Sequence, residues 1–167
     1  MCIICRKENL DGKITINCCK LVKSLPKLPQ NSQLSYLFCY NCTSLTSLPN
    51  LPQSLTALYC YGCTSLTSLP NLPQSLSVLN CSGCTSLTSL PELPQNINWI
   101  NCSQCDSLIS LPKIPKTIGF SCFRCPWLNY ENPDFESNVS KLKTMLNKYF
   151  PKVLTEEIIQ FKLGKTI

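Results

Sequence analysis

A repeat of 21 residues constrains what this chain can fold into more than any other feature of its sequence. Successive repeats are nearly identical in sequence, since the segment that starts at Thr43 recurs from Thr64 and from Thr85. Cysteine pairs with two intervening residues recur in the same register at Cys39/Cys42, Cys60/Cys63, Cys81/Cys84 and Cys102/Cys105, and after one deletion at Cys122/Cys125. Self-similarity with a period of this length predicts a stack of like structural units. We therefore expect a solenoid of about five to six turns.

Each turn divides into a strand and a return limb. Leu58 and Cys60 alternate with outward residues, which is the period of a strand with one buried face. The segment 69–73 reads Leu-Pro-Asn-Leu-Pro. A proline fixes φ, lacks an N–H group and biases the preceding residue toward extended geometry, so this limb is not helical. The predicted fold is an α+β solenoid of short parallel strands and extended or polyproline-II return limbs, with a C-terminal helical cap.

The apolar frame Leu55-x-x-Leu58-x-Cys60-x-x-Cys63-x-x-Leu66-x-x-Leu69-Pro resembles the leucine-rich repeat. The Leu-Pro-x-Leu-Pro limb is similar to the short repeats of bacterial type III effector proteins that act inside host cells. The phrase at 79–87 resembles the cysteine variant found in plant disease-resistance receptors. The near-identical turns, followed by an Asn-, Lys- and Ile-rich tail, are similar to repeat proteins of giant DNA viruses of amoebae. The resemblance implies a solenoid that binds a partner on a concave face of strands.

Composition divides the chain into an N-terminal cysteine-containing cap at 1–13, repeats at 14–128 and a helical C-terminal cap at 129–167. Apolar residues from Phe135 to Tyr149 keep helical spacing, and Thr155 starts a second short helix after Pro151. The last turn of a solenoid exposes an apolar end that a cap with a polar outer face must cover. Two alternatives are a helix pair that docks a second partner and a basic helix that binds an anionic membrane.

The paired cysteines have three interpretations. The resemblance implies that the second cysteine of each pair forms a structural ladder through hydrogen bonds to the backbone; the predicted members are Cys19, Cys42, Cys63, Cys84, Cys105 and Cys125. Zinc bound by thiolates of adjacent turns is the second interpretation, and disulfides between stacked thiols are the third. We favour the ladder, with no metal and no cofactor in the repeats. At the N-terminus, Cys2, Cys5, Cys18 and Cys19 form either a four-thiolate zinc site or a capping strand.

Charge and composition exclude several classes of function. The net charge of +6 is divided between the two ends, because every Lys and Arg lies before Pro29 or after Pro112. A nucleic-acid-binding protein places its basic groups along the contact surface, so we expect no nucleic-acid partner. The chain has no histidine, which removes the usual general base of hydrolytic triads. We expect no enzyme activity and no small-molecule substrate.

The sequence also bears on location and assembly. It shows no signal peptide and no apolar run long enough to span a membrane. Fourteen cysteines without such a signal fit a reducing compartment better than a disulfide framework. We expect an intracellular monomer, in the cytoplasm and possibly in that of a host cell, with no membrane partner.

The outward strand positions carry half of the chain's 14 aromatic residues. The predicted partner-binding residues are Tyr36, Phe38, Tyr40, Tyr59 and Tyr61 in one cluster and Trp99, Phe123 and Arg124 in a second. Exposed aromatic patches mark interaction sites, and Tyr, Trp and Arg dominate binding hot spots. The alternative is that the aromatic residues pair across strands and only stabilise the sheet.

We therefore expect a non-enzymatic module that recognises a protein on its strand face. One alternative is the recognition part of a ubiquitin-ligase or effector system whose catalytic domain acts in trans. Another is a structural repeat array without a defined ligand, which the near identity of the turns supports.

Overall fold

The strands of the repeat form one continuous parallel sheet. The computed structural model describes residues 13–15, 22–28, 30, 33–113, 119–122, 124–125, 139–140 and 143. Its strands are β1 Lys13–Thr15, β2 Tyr36–Phe38, β3 Ala57–Tyr59, β4 Val78–Asn80, β5 Trp99–Asn101 and β6 Gly119–Ser121. They pair in chain order, each parallel to the next. The predicted solenoid of short parallel strands is thereby confirmed.

The 21-residue period sets the register of the sheet. Leu37 pairs with Leu58, Leu58 with Leu79, and Leu79 with Ile100. These four central strand residues are fully buried, because alternate residues of a strand point to opposite sides of the sheet. Ile14 pairs with Leu37, so strand β1 continues the same register.

Leucines and cysteines fill the interior behind the sheet. Leu45, Leu66, Leu87 and Leu108 follow the cysteine pairs in successive turns, and all are fully buried. Leu55 and Leu76 precede the strands and are equally buried. Full burial of one leucine side chain contributes about 1.5–3 kcal/mol, but a single turn has no neighbour to cover its leucines. Stacking of turns therefore supplies the core.

The return limbs have neither helix nor strand among the described residues, as their prolines predict. Backbone hydrogen bonds still tie them to each other, since Thr67 N donates to Thr46 O at 3.4 Å and Thr88 N donates to Thr67 O at 3.4 Å. The hydroxyl groups of Thr67 and Thr88 donate to the same carbonyl oxygens. A second ladder, parallel to the sheet, therefore holds consecutive turns together on the limb side.

The two predicted caps lie almost wholly outside the described residues. Of the segment 129–167 the structure describes Val139, Ser140 and Lys143, which have helical backbone, and Val139 packs against the core. No helix is delimited among the described residues, so the helical cap stays a prediction. Among all the described residues, no helix is long and apolar enough to cross a membrane.

Candidate functional site

The outward side chains of the sheet form a surface that we call the strand face. It consists of the first and third residues of each strand together with the residue two positions after the strand. Of the predicted binding residues on it, Tyr36 is 38% exposed, whereas Phe38, Tyr40, Tyr59 and Tyr61 are half-buried. The larger side chains around Ala57 leave it only 2% exposed, although it occupies an outward position. Phe123 lies outside the described residues.

The first aromatic cluster consists of rings stacked along the solenoid. Phe38 and Tyr59, which pair across strands β2 and β3, have ring centroids 4.9 Å apart and planes 8° apart. The rings of Tyr40 and Tyr61 repeat this arrangement at 5.0 Å and 2°. Tyr36 extends it sideways, with its ring centroid 6.3 Å from that of Phe38. Each stacked pair contributes about 0.5–1.5 kcal/mol beyond its buried area, so the rings stabilise the sheet as well as forming a surface.

In the next two turns, amide and hydroxyl groups replace the rings. Asn80 pairs with Tyr59 on one side and with Asn101 on the other. The Oδ1 atom of Asn80 accepts hydrogen bonds from Ser82 N at 3.2 Å and from Ser82 Oγ at 2.8 Å. The Oδ1 atom of Asn101 accepts one from Ser103 N at 3.0 Å. These bonds orient both carboxamide oxygens toward their own turn.

The predicted second cluster is described only in part, because Phe123 lies outside the described residues. Trp99 pairs with Gly119, and a Cβ atom on Gly119 would collide with Cδ1 of the indole ring. The indole therefore leans over Gly119 of the following turn. Arg124 is exposed in the loop after β6. No described ring contact joins Trp99 to the first cluster.

The residue before the second cysteine of each pair adopts a left-handed backbone. The φ values in successive turns are 54° at Asn41, 71° at Gly62, 69° at Gly83, 59° at Gln104 and 58° at Arg124. The sequence did not lead us to predict this feature. The recurring Gly62 and Gly83, with Asn41 in the same column, are the signal that could have revealed it, because Gly and Asn tolerate positive φ. The reversal brings the second cysteine of each pair back into the core.

The cysteines form a ladder of hydrogen bonds inside the stack. The second thiol of a pair donates to the carbonyl oxygen of the first cysteine of the preceding turn: Cys63 Sγ to Cys39 O at 2.8 Å, Cys84 Sγ to Cys60 O at 3.1 Å, Cys105 Sγ to Cys81 O at 3.2 Å, and Cys125 Sγ to Cys102 O at 2.8 Å. Cys42 Sγ donates to Tyr40 O within its own turn at 3.7 Å. Cys19 lies outside the described residues.

Hydrogen bonding and burial raise the pKa of four inner thiols, whereas the hydrogen bond with Cys60 lowers the pKa of Cys84. The pKa of Cys60 lies well above its ordinary value, first because of the hydrogen bond with the thiol of Cys84 and then because of burial. The pKa of Cys81 and that of Cys102 are raised in the same way by a thiol of the following turn and by burial. The pKa of Cys63 is raised to about 12, chiefly by a hydrogen bond with the first cysteine of the preceding turn. Protonated thiols are poor nucleophiles and poor metal ligands.

The other interpretations of the cysteines find little support in the described region. Every described cysteine is a free thiol. Within the described ranges, no group of three or more Cys, Asp or Glu side chains is arranged to hold a metal ion. Cys2, Cys5, Cys18 and Cys19 lie outside those ranges, so the N-terminal zinc site stays a prediction.

The fold is similar to solved structures of bacterial proteins. The leucine-rich-repeat domain of a Shigella effector matches with 30% sequence identity and a TM-score of 0.57, over 68% of this chain and 50% of that one. YopM from Yersinia enterocolitica matches with 24% identity and a TM-score of 0.39, over 62% of this chain and 26% of that one. The chain thus spans about half the length of the Shigella structure. No protein-family model and no curated protein matches it.

Proposed function

The chain is a leucine-rich-repeat protein, and we propose that it is a non-enzymatic module that binds a protein partner on the concave strand face. The contact residues are the stacked rings of Tyr36, Phe38, Tyr40, Tyr59 and Tyr61, together with Trp99 and Arg124 farther along the stack. Phe123 belongs to the same proposal from its sequence position.

The observation that carries the proposal is where neighbouring turns differ. The turns 55–75 and 76–96 are identical except at Thr56/Ser77, Ala57/Val78, Tyr59/Asn80, Tyr61/Ser82, Asn71/Glu92 and Ser75/Asn96. Three of these pairs, Ala57/Val78, Tyr59/Asn80 and Tyr61/Ser82, make up all the strand-face positions of the two turns. Of the other 18 positions of the turn, only three differ, so the differences are concentrated on the strand face. Divergence on one face supports recognition through that face.

The chemistry of the face suits a protein partner. Aromatic rings bury a large area at a low cost in conformational entropy, and a rim of amides and hydroxyls supplies directional hydrogen bonds. The proposal includes a reducing intracellular setting, because the ladder needs thiol hydrogens, which a disulfide lacks.

Selection of displayed peptides on the immobilised chain tests this function. The variant Tyr59→Asn/Tyr61→Ser transfers to β3 and its loop the residues that the next turn carries at the same positions. The loss of two stacked pairs should cost about 1–3 kcal/mol of stability and leave a folded chain. We expect binders selected on the parent chain to lose at least about tenfold in affinity for this variant, since truncated hot spots cost about 1 kcal/mol or more.

The control is Ser68→Ala/Ile109→Ala, which removes exposed side chains from the limb side of the stack. This variant should keep the affinity of the parent chain in calorimetric titrations. If the selected peptides bind the strand-face variant as tightly as the parent chain, or lose affinity only for the limb variant, the proposed binding surface is wrong.

A further inference from the structure

The stacked rings of the first aromatic cluster end between strands β3 and β4, where smaller polar side chains follow them. Tyr59 stacks on Phe38 through one ring face, so its other face looks toward Asn80, its partner in the next strand. The ring of Tyr61 likewise looks toward Ser82. Stacked rings and neighbouring strands share a spacing of about 4.8 Å, and the side chains of Asn80 and Ser82 are smaller than the rings that they follow, so a planar group of a ligand would take the place of the next rung. We call this place the step.

The side-chain amide groups of Asn80 and Asn101 supply hydrogen-bond donors at the step. The Oδ1 atoms of Asn80 and Asn101 are occupied by Ser82 and Ser103 of their own turns. Among the described residues, nothing accepts a hydrogen bond from the Nδ2 group of either asparagine. The two strands are adjacent, so these amide groups stand about 4.8 Å apart on the same face. Acceptor groups of a ligand would satisfy them.

The charge around the step favours an anionic acceptor. The described strand face has no acidic side chain, since Glu92 lies in a return limb and Asp106 follows a cysteine pair. Arg124 is exposed at the C-terminal end of the same sheet. A carboxylate accepts from amide N–H groups more strongly than a neutral carbonyl does.

We infer that the step binds a protein segment that combines an aromatic side chain with an acidic one. This inference rests on the proposed function and specifies the partner's chemistry. The aromatic ring stacks on Tyr59 and Tyr61, and the neighbouring carboxylate accepts hydrogen bonds from Asn80 and Asn101. Trp99 leaves the step open because its indole leans over Gly119.

The test compares three synthetic peptides on the full chain by calorimetric titration. The first contains tyrosine flanked by aspartates, the second has asparagine for each aspartate, and the third has lysine. The chain variant Asn80→Asp/Asn101→Asp keeps the oxygens that Ser82 and Ser103 need but replaces the outward N–H donors with charge. The matched control is Asn50→Asp/Asn71→Asp, which changes the net charge equally at two exposed positions of the return limbs.

We expect the aspartate peptide to bind at least about tenfold more tightly than the other two, since each charge-assisted bond is about twice as strong as a neutral one. The step variant should lose about tenfold or more for this peptide, and the control variant less than about twofold. Side-chain amide NMR signals of Asn80 and Asn101 should shift on titration. An equal loss in the control, or tighter binding of the lysine peptide, overturns the inference. Selected peptides that require Tyr59 and Tyr61 but ignore the asparagine changes would overturn it while the proposed function stands.

Discussion

Two glycines at equivalent positions of neighbouring turns test the left-handed column. Gly62 and Gly83 have φ values of 71° and 69°, so the same backbone penalty applies to both. A left-handed conformation costs a residue with a Cβ atom about 1–2 kcal/mol. The lower entropy of alanine in the unfolded chain offsets about 0.4–1 kcal/mol of this cost. Either Gly→Ala change should therefore lower the free energy of unfolding by about 1 kcal/mol through the backbone alone.

The surroundings of the two glycines differ. A Cβ atom on Gly83 would meet only the backbone of Gly62, at 3.6 Å, which is an ordinary contact. A Cβ atom on Gly62 would collide with the side-chain oxygen of Asn41. Displacing Asn41 from its rotamer costs about 0.5–1.5 kcal/mol. We therefore expect Gly62→Ala to destabilise the chain by about 2 kcal/mol and Gly83→Ala by about 1 kcal/mol.

Urea unfolding followed by far-ultraviolet circular dichroism measures these differences. The variant Asn41→Gly removes the obstacle, so combining it with Gly62→Ala should recover about 1 kcal/mol, whereas combining it with Gly83→Ala should recover nothing. The double-mutant cycle subtracts whatever contacts Asn41 itself makes. Equal losses at the two glycines, or the absence of coupling between Asn41 and Gly62, would refute the reasoning.

The thiol ladder yields the remaining predictions. Cys63→Ala leaves the buried carbonyl of Cys39 without its donor and should cost about 1–3 kcal/mol, whereas Cys63→Ser keeps a donor and should cost less. Urea midpoints decide this, and equal losses contradict the ladder. Because the pKa of Cys63 is raised to about 12, the unfolded chain releases a thiol proton that the folded chain retains. The contribution of this thiol to stability should be fully present below about pH 9 and should fall toward pH 12 by about 1.4 kcal/mol per pH unit. Midpoints measured across this range should fall less steeply for Cys63→Ser, and an unchanged slope contradicts the assignment.

Much of the fold could be predicted from sequence because the repeat determines it. Once Leu58 is placed inside a strand, the 21-residue period places Leu37 and Leu79 beside it, and the structure has this register. The prolines at 70 and 73 exclude helix from the limb on steric grounds alone. The repeat period and the steric effect of proline can both be read from the sequence, so predicting them does not require the contacts between turns.

The details of the site depend on contacts that periodicity does not encode. The sign of φ at Gln104 could not be predicted from its residue type, since glutamine rarely adopts the left-handed conformation. Neither could the tilt of Trp99, which depends on the space left by Gly119 in the following turn. Ala57 occupies an outward position yet is buried, because the side chains around it are larger. Each of these features follows from an interaction between turns.

The two sets of side chains in a turn have separable physical roles. Leu58, Cys63 and Thr67 bind each turn to its neighbours through the core, the thiol ladder and the limb ladder. The stability of a solenoid is approximately the sum of such nearest-neighbour contacts. Tyr59 and Asn80 occupy paired positions on the same sheet, so exchanging one for the other alters the surface while it preserves these contacts. Substitutions on the strand face are therefore less constrained than substitutions in the ladders, which accounts for turns that share their framework but differ in what they present to a partner.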